Sequence, residues 1–269
     1  MVEIAIASDG ARLNGLVYLA AGRGVHPLVI FLHGYPGNEK NLDLAQAVRR
    51  AGFDALYVDY RGVWGSGGTF SFEHALKDTE AVFAWARDNR NATKYGFDVR
   101  RTAVVGHSFG GWLALMTAAD EPTSVCVAGL AAWNVGGAAL RFASHPDERA
   151  GTLNDFRTST DPAGGPVRAQ ADDLLDEMVS HAAAWDYRSR AAAIGDRALL
   201  LVAATRDSPD EDVTMHEELE RALRTSGSRR VTLIRYEDDH PFSSHRIALA
   251  EALVSWLEGE CADTQRPPR

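Results

Sequence analysis

Short apolar runs and longer amphipathic stretches alternate along most of this chain. Residues 16–20 read as an early strand. Residues 27–32 (Pro27-Leu28-Val29-Ile30-Phe31-Leu32) form the unbroken apolar run of a strand buried on both faces. Residues 41–50 switch to helical spacing, with Leu42, Ala45 and Val48 or Ala51 on one face and Gly52 as the stop. A strand is expected at 53–58. A longer helix follows at 72–87, with Phe72, Ala75, Leu76, Thr79, Val82, Phe83 and Ala86 on one stripe. Further strands are expected at 102–105, 124–131, 197–203 and 231–236. Helices are expected near 213–224 and 244–256. Repeated strand–helix units predict an α/β fold: a doubly wound, mostly parallel sheet of about eight strands. Ligands in such sheets bind beyond the carboxyl ends of the strands.

Residues 133–187 break this rhythm. They show no strand pattern, carry Gly136-Gly137, Asp161-Pro162 and Gly164-Gly165-Pro166, and have helical stretches near 138–143 and 167–184. The stretch is expected to be a helical lid inserted between two sheet strands, since long insertions on such scaffolds usually carry function. The predicted division is therefore a core of 1–132 and 188–258, a lid of 133–187, and a flexible tail of 259–269.

The chemistry centres on Gly106-His107-Ser108-Phe109-Gly110, flanked by a strand pattern and then by an apolar helix. A serine at a sharp strand-to-helix turn, with glycines two residues to either side, fits a nucleophile elbow. The glycines let the two backbones approach closely. The start of the next helix offers free N–H groups and the positive end of a dipole. Ser108 is the expected nucleophile. His240, in Asp239-His240-Pro241-Phe242 between the last strand and the last helix, is the expected base, with His245 as runner-up. His107 and His33 read as scaffold residues. Asp207, at the end of the strand at 197–203, is the expected orienting acid. Asp210 and Asp212 are its rivals, and Asp239 is read as a solvent or supporting group. The loop Phe31-Leu32-His33-Gly34-Tyr35-Pro36-Gly37 can aim the Tyr35 N–H at the same point as the Phe109 N–H, forming an oxyanion hole. Trp64, Trp133 and Phe142 are expected to line the substrate pocket. Most other apolar lid residues, among them Phe156, Leu174, Met178 and Trp185, are expected to pack the lid onto the core.

The chain resembles serine members of the α/β-hydrolase fold superfamily over residues 16–256. The matching pieces are His33-Gly34-Tyr35-Pro36-Gly37, the glycine-rich stretch from Asp59 to Gly68, the elbow at Ser108, the strand-end Asp207, and Asp239-His240-Pro241-Phe242. Their order, Ser then Asp then His, is that of the fold. The chain is most similar in character to esterases and to prolyl-oligopeptidase-like catalytic domains of the dienelactone-hydrolase type. It departs from the oligopeptidases in lacking an N-terminal propeller, from hormone-sensitive-lipase relatives in lacking a His-Gly-Gly-Gly loop, and from dehalogenases in having serine at the elbow.

The resemblance implies hydrolysis of a carboxylic ester or thioester through an acyl-enzyme. Peptide or amide cleavage and acyl transfer use the same residues, and a silent binding scaffold is a further alternative. No cofactor or metal is expected, because Asp, His and Cys are not grouped at ligand spacing. The net charge of −9 leaves no basic excess for nucleic acid. No run reaches the length of a membrane span. The expected partner is a small acyl substrate, with oligomeric state open and a homodimer among the options. The N-terminus shows no basic region followed by an apolar core, so no secretory signal is expected. With two cysteines, Cys126 is read as a buried thiol and Cys261 as part of the polar tail, which makes a reducing cytoplasm the default location.

Overall fold

The computed structural model describes residues 1–121, 126–161, 164–207 and 212–262, with the side chains of 212–215 left aside. Strand β1 (Val2–Ser8) and β2 (Ala11–Tyr18) form a hairpin. Its two-residue turn is Asp9-Gly10, both at positive φ (44° and 80°), as a turn matched to strand twist requires. Then come β3 (His26–Leu32), α1 (Leu42–Arg50), β4 (Asp54–Val58), α2 (Phe72–Arg87), α3 (Asn89–Tyr95), β5 (Phe97–His107), α4 (Phe109–Ala118) and β6 (Cys126–Leu130). Helices α5 (Val135–Arg141), α6 (Pro146–Ser159), α7 (Ala171–Ser180) and the short α8 (Ala191–Ile194) precede β7 (Leu199–Ala204), α9 (Asp212–Thr225), β8 (Val231–Tyr236) and α10 (Arg246–Trp256).

The eight strands form one sheet in the order β1-β2-β4-β3-β5-β6-β7-β8. β1 and β2 are antiparallel additions, and every later pair is parallel. Successive side chains of β5 serve opposite faces. Val104 packs with α2 and α4, while Ala103 and Val105 pack with α1 and α10. Burial on both faces explains the continuous apolar runs of the central strands.

The sequence reading missed β1 and placed the next strand too late. It also found two helices within 133–187 where three stand, α6 being the addition. Residues 122–125, at the predicted start of the strand at 124–131, lie outside the described residues. The insertion is sewn to the loop after β4 by backbone bonds from Trp64 N to the Pro166 carbonyl (3.2 Å), Arg168 N to that of Gly62 (2.8 Å) and Phe70 N to that of Arg168 (2.9 Å). The Glu177 carboxylate of α7 accepts from the Phe72 and Glu73 amides at 2.8 and 3.0 Å. It satisfies two of the open N–H groups at the start of α2.

The cysteines correct a second expectation. Cys126 and Cys261 form a disulfide, with their Cα atoms 5.6 Å apart. Cys261 is no free tail residue. α10 continues through a π-turn (Leu257–Cys261) that tucks Cys261 beneath the sheet, 3% exposed. Residues 263–269 of the predicted tail lie outside the described residues. No helix among the described residues is long and apolar enough to cross a membrane.

Candidate active site

Ser108 stands at the turn from β5 into α4 with φ 55° and ψ −123°, a conformation that costs a non-glycine residue of order 1–3 kcal/mol. Its surroundings hold it there. Ser108 N donates to the Leu130 carbonyl of β6 (2.9 Å), and its own carbonyl accepts from Gly111 N and Trp133 N (2.9 and 3.0 Å). The flanking glycines are forced by contact. A Cβ on Gly106 would come within 2.0 Å of the Gly110 carbonyl oxygen, and one on Gly110 within 2.0 Å of that of Leu32.

Asp207 follows the end of β7, and His240 lies in the loop between β8 and α10. Both are on the same rim as Ser108. Asp207 Oδ2 is hydrogen-bonded to His240 Nδ1. This fixes the tautomer and leaves Nε2 to exchange a proton with substrate or nucleophile. His107 braces the same loop from the elbow side. Its ring lies 4.7 Å from that of His240, and its Nε2–H donates to the His240 carbonyl at 2.9 Å. Burial, aided by repulsion from His240, holds the His107 pKa down at about 3, so it stays neutral and donates. Ser108 Oγ itself makes no hydrogen bond among the described residues. Such contacts often tighten only when substrate binds.

A residue the sequence reading passed over organises this rim. The Asp238 side chain is fully buried. It accepts from His245 Nδ1 (2.8 Å), Ser244 N (2.9 Å) and Asp239 N (2.9 Å), while its carbonyl accepts from Arg206 N (3.0 Å). Asp238 thus ties the loop carrying Asp207 to the loop carrying His240. Burial alone would raise its pKa, but the His245 and amide hydrogen bonds prevail and bring it to about 2. His245, the runner-up base, is committed to Asp238. Asp239 caps the turn by accepting from Ser243 N (2.8 Å). Asp210 lies outside the described residues, as does the Asp212 side chain.

On the far side of Ser108, the Tyr35 amide makes no backbone hydrogen bond among the described residues, and Phe109 N is the first amide of α4, which has no partner within the helix. Both are available to a developing oxyanion. The Tyr35 loop is held by several bonds. Tyr60 Oη donates to the His33 carbonyl (2.9 Å), His33 Nδ1 bonds the Gly34 carbonyl (2.6 Å), and Trp64 Nε1 donates to the Pro36 carbonyl (3.1 Å). Burial, partly opposed by Asp59, lowers the His33 pKa to about 4.

A sequence model described as the alpha/beta hydrolase family matches residues 29–252. The chain belongs to the alpha/beta hydrolase family. Among solved structures, this hydrolase is similar to Est1E from Butyrivibrio proteoclasticus (TM-score 0.68, 17% identity, 97% of this chain and 99% of that one). It is also similar to a 2,6-dihydroxy-pseudo-oxynicotine hydrolase (TM-score 0.72, 18% identity, 100% and 70%) and to the Pyrococcus furiosus esterase Pf2001 (TM-score 0.69, 17% identity, 96% and 90%). At these identities the likeness is one of fold. An uncharacterized Mycobacterium tuberculosis protein is 29% identical over 120 residues, 44% of this chain and 41% of its own length. Human protein ABHD12B is 31% identical over 100 residues, 36% and 26%. The chain thus matches less than half the length of these relatives.

In this alpha/beta hydrolase a cavity of about 520 Å³ opens over Ser108. Trp133 and Phe142 line it, as the sequence suggested, and so does Phe156. Trp64 does not. Its indole holds the Tyr35 loop through Pro36, and Lys40 Nζ lies 4.7 Å above its ring. Leu174, Met178 and Trp185 pack into the core. The described residues contain no group of three or more His, Cys, Asp or Glu arranged to hold a metal ion. Helix α6, unforeseen from sequence, supplies the polar wall of the cavity through Thr152, Asp155, Thr158 and Ser159.

Proposed function

We propose that this alpha/beta hydrolase family member cleaves a carboxylic ester or thioester of a small substrate through an acyl-enzyme on Ser108. The reading is carried by one observation: a serine strained into the elbow conformation shares a rim with a hydrogen-bonded Asp207–His240 pair. Ser108 Oγ attacks the carbonyl carbon as its proton passes to His240 Nε2. The Tyr35 and Phe109 amides stabilise the oxyanion, and Asp207 stabilises the imidazolium. The leaving alcohol or thiol takes the proton from His240. A water then repeats the attack on the acyl-enzyme, passing its proton to His240 and returning Ser108 to its starting state. Esterases among the structural neighbours agree with this reading.

The cytoplasmic location expected from sequence rested on unpaired cysteines. The Cys126–Cys261 bond removes that footing, since disulfides persist in oxidising compartments.

A fluorophosphonate probe tests the proposal. It should form one adduct, located by mass spectrometry at Ser108, and Ser108→Ala should abolish both labelling and turnover of p-nitrophenyl esters, a loss on the order of 10⁴-fold or more. Folded protein that stays unlabelled at Ser108 would defeat the reading.

A further inference from the structure

One face of α6 forms a wall of the Ser108 cavity, and three hydroxyls stand on it: Thr152, Thr158 and Ser159. Each has already committed its hydrogen. Thr152 Oγ1 donates to the Glu148 carbonyl at 2.9 Å, and Thr158 Oγ1 to the Asp155 carbonyl at 3.0 Å. Ser159 Oγ lies 2.6 Å from the Asp155 carbonyl and 2.8 Å from Tyr35 Oη. A carbonyl can only accept, so the single Ser159 hydrogen points to it. The 2.8 Å contact is then completed by the Tyr35 hydrogen. Burial pushes the Tyr35 phenol up to about 12, so it keeps that hydrogen at neutral pH. All four groups are left with lone pairs and no hydrogen to offer a ligand.

The charges on this wall have the same sense. Glu148 and Asp155 line the cavity. Glu148 is paired with Arg141 at 2.7 Å, whereas Asp155 has no ion-pair partner among the described residues. No Lys, Arg or His among the described residues lines the cavity, and its side-chain N–H donors, Asn38 and Trp133, stand off α6.

We infer that α6 is an acceptor wall selecting acyl groups that carry a hydrogen-bond donor, a hydroxyl or an ammonium, and rejecting acyl groups that carry a carboxylate. This rests on the proposed ester hydrolysis at Ser108. A donor entering the cavity meets lone pairs from Tyr35, Thr152, Thr158 and Ser159 and the charge of Asp155. A carboxylate there gains neither donor nor cation on this wall and meets the like charge of Asp155. A like charge beside groups that can only accept is the ground for exclusion.

The test compares p-nitrophenyl esters of hexanoate, ω-hydroxyhexanoate, ω-aminohexanoate and the adipate half-ester near neutral pH. The hydroxy and amino esters should exceed the adipate half-ester in kcat/KM by at least about tenfold. In Asp155→Asn the amino-to-adipate ratio should shrink at least about fivefold, because the charge is lost while the side-chain size is kept. Turnover of hexanoate with adipate equal or faster overturns the acceptor wall and leaves Ser108 hydrolysis standing. An unchanged ratio in Asp155→Asn also overturns the role given to that wall. No turnover of any ester, together with no fluorophosphonate adduct at Ser108, removes the underlying reading instead.

Discussion

His107 Nε2 donates to the backbone carbonyl of His240 across 2.9 Å, so the residue next to Ser108 holds the main chain of the proposed base. Its neutral ring keeps that hydrogen across the whole range in which an esterase works. His107→Phe keeps the bulk and removes the donor, leaving a carbonyl without its partner, a loss of about 1–3 kcal/mol. The expected result is a fall in kcat of about tenfold or more with KM little changed. Steady-state kinetics with an ester substrate checks this. A change confined to KM would contradict the bracing role.

Asp207 is hydrogen-bonded to His240, whereas its sequence rivals Asp210 and the Asp212 side chain lie outside the described residues. Asp207→Asn should lower kcat by roughly 10⁴-fold, because an amide favours the wrong imidazole tautomer. Asp210→Asn should stay within a few-fold of the parent. Parallel kinetics on the two variants decides the assignment, and equal losses would reject it.

Acid should weaken the fold through buried neutral histidines. The pKa values of His33 and His107 are held down at about 4 and 3, against 6.5 for a free side chain. Below pH 6.5 the unfolded chain takes up protons at these positions and the folded chain does not. Stability therefore declines as pH falls from 6.5 toward 4, by up to about 1.4 kcal/mol per pH unit for each histidine. Urea midpoints measured across this range should shift downward. His107→Gln, which removes one of the two groups, should flatten the slope. A flat profile in the parent would refute the assignment.

Asp238 acts in a lower window, and there the fold favours the charged form rather than the neutral one. Its carboxyl is held at about 2, below the ordinary 3.8. Its contribution is therefore complete above about pH 4 and lost as pH falls through 2. Asp238→Asn should reduce kcat/KM by about tenfold or more, since Asp238 anchors the loops bearing both Asp207 and His240. The loss should appear in kcat and in the pH–rate profile. Unaltered kinetics in a destabilised Asp238→Asn protein would limit Asp238 to a stabilising role.

The disulfide closes a sequence separation of 135 residues. Replacing both cysteines by serine should cost about 2–5 kcal/mol, read as a lower Tm. Ester turnover at moderate temperature should persist, because the bond lies at the opposite end of β6 from Ser108. An unchanged Tm would show that the bond adds nothing to stability.

The parts of the site legible in sequence were those written locally. Gly106 and Gly110 around Ser108, the strand-end Asp207 and the loop with His240 each carry their placement in their neighbours. What escaped was written at a distance or in a weak pattern. Of α6, the buried residues are Phe156 and Ser159, too few for a helical stripe. β1 had a signal that was passed over, the Asp9-Gly10 turn between alternating apolar positions. Cys261 also had one: Leu249, Leu253, Leu257 and Cys261 recur every fourth residue, so the apolar face of the last helix runs on to the cysteine. Trp64 could be read from sequence either as pocket lining or as part of a structural glycine-rich turn. Its indole N–H donates to the Pro36 carbonyl, which is the structural role.

Phe72 begins α2 and lies 5.3 Å from Phe109, 5.8 Å from Phe156 and 6.0 Å from Trp185, measured between ring centres. One ring therefore touches α4, the polar wall and the end of the insertion, and its own amide is held by Glu177. A hinged opening of the insertion would have to break this aromatic cluster. Slow amide exchange should consequently rise and fall together in α4 and α7, as a single cooperative unit, and substrate traffic is left to side-chain movement at the mouth of the cavity.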